Sequence, residues 1–187
     1  MRDVGRGNPC MLAYDYIKLT GEKVSEHFKE YQVLSKKIDT LHQLAKELHA
    51  PLIVAMQLNK KGEGGRYAPV DDSSAFAATD SLQSFSSFTA IFRRKTNEEF
   101  ALDGEEAGTH KMIVTKARFQ GEGAMGHDDR IRRRLPNGSI VYQDNYLNFQ
   151  VHNFEVEERG SLRHIVAREN ERFLAEGGAE ADGEILP

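Results

Sequence analysis

Two short apolar runs flanking one amphipathic stretch constrain this chain more than any other feature. Residues 11–17 are mostly apolar without alternation, which suits a short strand buried on both faces of a parallel sheet. From Val24 onward, Val24, Phe28, Tyr31, Leu34, Ile38, Leu41, Leu44, Ala45 and Leu48 recur every three or four residues, the spacing of a helix with one buried stripe. The opposite face carries Lys29, Glu30, Lys36, Lys37, Asp39, Lys46 and Glu47, and Pro51 closes the unit. A second apolar run, 52–57, follows at once. Strand, helix and strand in this order predict a right-handed βαβ crossover with two parallel neighbours.

The segment 60–72 is rich in Gly, charge and Pro, buries no face and reads as a long loop. A helical stretch around 73–85 leads to a third strand at 88–92, an acidic excursion through Gly108, and a fourth strand at 110–116. After a glycine-rich turn at 121–126, the stretches 139–142 and 146–151 alternate well enough to pair as a hairpin. His127-Asp128-Asp129 reads as a polar turn, residues 161–174 as a helix, and the acidic, Gly-rich 176–187 as disordered. The expected organisation is α/β, with a partial core of parallel strands, a crossover helix and a C-terminal β-hairpin over 1–158. A helix and a flexible acidic tail follow over 159–187.

At 187 residues and 39% hydrophobic the chain has room for one sizeable core but not for two full domains. No apolar run approaches the roughly 20 residues that span a bilayer, and the N-terminus lacks a signal-peptide core. The single Cys10 forbids an internal disulfide and a cysteine-built zinc site, so a cytoplasmic protein is expected. A net charge of −4 gives no global attraction to polyanions, yet Lys60, Lys61 and Arg66 form one basic region and Arg130, Arg132, Arg133 and Arg134 another. The arginine cluster reads as a surface feature. His42 and His49 share a helix face but lack a third metal ligand at a sensible spacing.

Chemistry gathers at the ends of the first two strands. Asp15 ends the first strand, on the sheet edge where open parallel sheets bind ligands; a carboxylate there either directs Mg²⁺ through its water shell or merely ends a strand. Gln57 ends the next strand, where its amide either donates to a phosphate or attacking water, or caps the backbone. The two would stand one strand apart, roughly 5 Å between backbones.

The strings Leu12-Ala-Tyr-Asp-Tyr-Ile-Lys-Leu19, Leu34-Ser-Lys-Lys-Ile-Asp-Thr-Leu-His-Gln-Leu-Ala-Lys-Glu-Leu48 and Pro51-Leu-Ile-Val-Ala-Met-Gln-Leu-Asn59 resemble the motor domain of DnaB-type replicative helicases, phage versions included. So do Asp80-Ser-Leu-Gln-Ser-Phe-Ser-Ser-Phe-Thr-Ala-Ile-Phe-Arg-Arg94 and Val114-Thr-Lys-Ala-Arg118 followed by Gly121. The likeness covers residues 10–154 and implies a RecA-like ATPase that moves along single-stranded DNA as a hexameric ring, with ATP and Mg²⁺ as cofactors and primase as a further partner. It implies that Asp15 is the Mg²⁺-directing acid of the Walker B strand and Gln57 the phosphate sensor. Lys116 and Arg118 would be the pair sent to a neighbouring subunit's ATP, Arg118 as an arginine finger. It places Lys60, Lys61 and Arg66 in the loop that tracks DNA, with Tyr67 and Phe76 beside them.

The family's phosphate loop, G-x-x-x-x-G-K-[ST], is not matched at Gly5, Gly21 or Gly62, and the family's catalytic glutamate, which also lies upstream, is missing with it. The expectation is therefore the C-terminal portion of a helicase, inactive by itself, whose phosphate-loop strand belongs between the strand ending at Gln57 and the strand 88–92. The alternatives are a non-enzymatic RecA-like adaptor or single-stranded-DNA-binding subunit, and a recombinase-like relative.

Overall fold

A computed structural model describes residues 10–18, 30–57, 71–72, 75, 84–118 and 126–175, in two compact units, Met1–Ser87 and Phe88–Pro187. The chain is mixed α/β. In the first unit, β1 (Leu12–Ile17), α1 (Glu30–Leu48) and β2 (Leu52–Met56) follow in the expected order, and β1 pairs parallel with β2, Leu12 opposite Leu52 and Ile17 opposite Met56.

From residue 32 on, the helix carries its apolar stripe where the sequence places it, while Val24 and Phe28 of the expected stripe lie outside the described residues. Leu34 and Ile38 are buried with Ile17, and Leu41, Val54, Met56 and Phe85 pack around them. α1 ends in a two-bond cap: Ala50 N–H reaches the Ala45 carbonyl at 3.1 Å and His49 N–H reaches Lys46 at 3.2 Å, with His49 left-handed at φ 49°. That reversal delivers the chain to Pro51, whose carbonyl accepts from Leu12 N–H at 2.9 Å.

The two strands are not buried on both faces, as their composition suggests. Residues 13–16 of β1 are all exposed, and in β2 Ile53 stands 57% exposed. The reason is cover. Among the described residues, two strands with one helix against them leave a face and both edges open, whatever the residues on them.

The second unit holds β3 (Phe88–Arg94), α2 (Asn97–Asp103), a 3₁₀ turn (Glu105–Ala107), β4 (His110–Ala117), β5 (Gly126–Arg134), β6 (Ile140–Asn145), β7 (Leu147–His152), β8 (Glu155–Ser161) and α3 (Leu162–Ala175). β3, β4, β7 and β8 form one sheet in that order and β5 with β6 another, with every pairing antiparallel. A parallel ladder is thus confined, among the described strands, to β1 and β2. The boundary expected at 158 falls inside β8, and α3 occupies the expected helical stretch, its Leu162, Ile165 and Val166 buried. The tail 176–187 lies outside the described residues.

Three local expectations change. The stretches expected to pair as a hairpin are β6 and β7, which are strands but not partners: β6 joins β5, and β7 joins β4 and β8. Residues 127–129 belong to β5 rather than to a turn. The acidic excursion contains α2, started by a reciprocal cap in which Thr96 Oγ1 accepts from Glu99 N–H while the Glu99 carboxylate accepts from Thr96 N–H. Gly108 then lets this segment lie against β7, because a Cβ there would meet the Phe149 carbonyl oxygen at 2.5 Å.

Candidate functional site

The parallel pair sets the positions of Asp15 and Gln57. Asp15 lies within β1, two residues before its end, in the irregular stretch between the Tyr14 and Ile17 register positions. Its side chain is exposed, flanked by Tyr14 and Tyr16 at 36% and 38% exposure. Gln57 follows Met56, the register partner of Ile17, and is also exposed. Both therefore sit toward the carboxyl ends of adjacent parallel strands, the edge at which such sheets receive ligands.

Lys116 and Arg118 belong to the second unit. Lys116 is on β4 opposite Thr89 of β3, and Arg118 occupies the turn directly after the strand. Partial burial and the neighbouring Arg118 charge lower the Lys116 pKa from the usual lysine value. Two cations side by side repel, and an anion brought to them relieves that repulsion. Beside them Thr89 and Thr115 join across the two strands, Oγ1 to Oγ1 at 2.8 Å, pinning the end of β4.

Lys60, Lys61 and Arg66, with Tyr67 and Phe76, lie outside the described residues. His42 stacks at a tilt on Phe85, ring centroids 5.2 Å apart, and His49 serves as the helix cap. Among the described residues no three His, Cys, Asp or Glu side chains converge as a metal-binding group. An ion that keeps most of its water and takes its other ligands from phosphates needs only one or two carboxylates, so Asp15 fits Mg²⁺ in kind.

The densest chemistry in the second unit is one the sequence does not announce. Asp103, at the end of α2, is buried with a side chain 1% exposed and accepts three charged or polar donors: Arg133 Nη1, Lys95 Nζ and the Tyr146 hydroxyl, each at 2.8 Å. Arg133, expected at the surface with its neighbours, is 1% exposed. Its guanidinium also donates to the Leu102 carbonyl at 2.8 Å and forks onto Glu169 of α3 at 3.0 and 2.6 Å. Alternate residues of a strand face opposite ways, so Ile131 and Arg133 share the buried face of β5 while Arg130, Arg132 and Arg134 share the other.

This network is closed and structural. Burial pushes the Tyr146 hydroxyl up, and the Asp103 carboxylate beside it pushes further. Burial also holds the Lys95 ammonium below its usual range despite Asp103. For Glu99 burial alone would raise the carboxyl, but hydrogen bonds from Arg93 and Lys111 outweigh it and hold it at about 2. Asp103 ties α2 to β5, to the link between β6 and β7 and to the chain after β3, and every charge in it has a partner, as buried charges require.

The fold and site together define a mixed α/β chain with a parallel strand pair bearing an acid and an amide, and an antiparallel unit bearing a cation pair. No protein-family model matches the chain, and no curated protein matches it.

Proposed function

We propose that this chain is the C-terminal portion of a DnaB-type, RecA-like replicative helicase motor, working as a ring on single-stranded DNA once a polypeptide with the phosphate loop completes it. The observation that carries the reading is a pair of strand edges. The described strands form separate sheets rather than one, with β2 and β3 each at an edge. The helicase arrangement calls for a phosphate-loop strand beside β2, and an edge strand presents the unpaired N–H and C=O groups that such a strand would take up.

ATP with Mg²⁺ supplies the phosphoryl bond whose hydrolysis drives movement. The residues of this chain bind and orient. Asp15 offers carboxylate oxygens to the ion's water shell, and Gln57 offers an amide N–H to a terminal phosphate or to attacking water. Lys116 and Arg118 present two positive charges from the end of a pinned strand, suited to negative charge developing on a phosphoryl group held by a neighbouring subunit.

The test is reconstitution. The purified chain is mixed with a polypeptide that carries the phosphate loop, and ATP hydrolysis is followed with and without single-stranded DNA. The expected result is no turnover by the chain alone and DNA-stimulated turnover by the mixture. In the mixture Arg118→Ala leaves nucleotide binding near wild type and lowers turnover by about a thousandfold or more. Rapid hydrolysis by the isolated chain would refute the division of the site. Binding lost with turnover per bound nucleotide unchanged would remove Arg118 from its role.

A further inference from the structure

One face of β5 is a row of arginines that the described residues leave open. Arg130, Arg132 and Arg134 alternate along the strand, so their side chains stand on the same face at a repeat of about 7 Å. Opposite them on β6 are Asp144, Tyr142 and Ile140, the last two 56% and 43% exposed. Arg130 has loose partners, Asp144 at 3.6 Å and the Tyr142 carbonyl at 3.3 Å. Arg132 is exposed and makes no hydrogen bond or ion pair among the described residues. Arg134 lies over the Phe173 ring at 4.6 Å, a contact that uses the flat face of the guanidinium and leaves its N–H edge able to donate.

The ring contact also fixes where the chain leaves α3. The helix follows β5 in the same direction: Arg163 near its start bonds Asp129, Glu169 forks onto Arg133, and Phe173 near its end carries Arg134. The segment after Ala175 therefore starts at the Arg134 end of the row. Residues 176–187 contain Glu176, Glu180, Asp182 and Glu184 and no lysine or arginine. Glu180, Asp182 and Glu184 fall at every second position with Ala181 and Gly183 between them, so an extended backbone presents three carboxylates on one side at about the 7 Å repeat of the arginines. Gly177-Gly178 offers the backbone freedom for a reversal, and the five residues from Ala175 to Glu180 reach up to about 17 Å.

We propose that the segment 176–187 folds back along β5 and seats its carboxylates on this face within the same chain, Glu180 at Arg134, Asp182 at Arg132 and Glu184 at Arg130. The matching repeat and the shared starting point favour the chain's own segment over an external polyanion or a second copy, because the tether holds the acids beside the arginines at an effective concentration of about millimolar. A single exposed ion pair is weak, so the contact rests on three in register and on the tether, and it opens at high salt. An outside polyanion must then compete with the segment for the arginines. The contact does not depend on the helicase reading.

Disulfide trapping in the full chain, with Cys10→Ser as the background, tests it. Arg132→Cys paired with Asp182→Cys is oxidised by glutathione disulfide at low protein concentration, and closure is followed by loss of free thiol and by mobility without reductant. Closure within one chain is expected on the order of tenfold faster than for Arg168→Cys paired with Asp182→Cys, Arg168 being an exposed residue of α3 away from the row. Salt and added inorganic polyphosphate both slow it toward that control. Reversing the neighbouring arginines (R130E/R134E) removes the advantage, and adding E180K/E184K to the same chain restores it, which separates charge pairing from an effect of the arginine changes on folding. Equal closure of the two pairs, a disulfide formed between chains rather than within one, an advantage that survives R130E/R134E, or one that polyphosphate leaves unchanged overturns the proposal.

Discussion

Glu99 shows how one side chain can tie three segments together. It accepts from Arg93 at 2.8 and 2.7 Å and from Lys111 at 2.8 Å, and it closes the cap on Thr96. Its folded pKa of about 2 lies below the ordinary value of 4.5. A depressed carboxyl stabilises the fold fully above its unfolded pKa and loses that contribution as pH falls toward its folded one. Denaturant unfolding of the chain and of Glu99→Gln should therefore differ by on the order of 3 kcal/mol near neutral pH, with the gap closing as pH drops from about 4.5 toward about 2. A gap that persists at pH 2 would show that Glu99 acts by packing instead. Composition displays the acidic segment but not its partners. Asp103 is served by residues 95, 133 and 146, and no spacing rule joins positions that far apart.

Elements were the more legible scale where their signals are local. The stripe of α1, the helix at 162–175 and the strands at 88–94 and 110–117 follow from period and propensity, and the structure forms them close to the expected bounds. α1 ends where Pro51 implies, although the cap itself depends on a left-handed His49 where glycine is the common choice. His49→Gly should raise stability by about 1 kcal/mol, measured as a shift in the denaturant midpoint at constant slope, because glycine meets no Cβ penalty there. An unchanged or lowered midpoint would mean that the His49 side chain contributes contacts worth more than the strain. Strand partners were the illegible part. β6 and β7 alternate as a hairpin should, yet the turn Asn153-Phe154 gives β7 to β8, and the turn at 135–139 gives β6 to β5. Alternation fixes a strand's faces and leaves its neighbour open.

At the scale of the whole molecule, the two units differ, among the described residues, in how much holds each together. The second contains the Asp103 network, a four-stranded sheet and a helix with three buried residues. The first gathers Ile17, Leu34 and Ile38 under one helix. A polypeptide of residues 88–187 should accordingly unfold in a single cooperative thermal transition, followed by circular dichroism, and one of residues 1–87 should show a broader and weaker one. Two equally sharp transitions would mean that the first unit has a core as large as the second.

The sequence by itself determined the helix stripe, the strand periods and the places of Asp15, Gln57, Lys116 and Arg118 in or beside their strands, because each is written within a few residues. Tertiary structure alone decided that Arg133 goes inside while Arg130, Arg132 and Arg134 stay out, that β7 chooses β8, and that β1 stands exposed on residues apolar enough for a core. Burial and pairing depend on which distant segments arrive to give cover. An apolar strand is buried only when something lies on both its faces, and a buried arginine is tolerable only where carboxylates from other elements meet it.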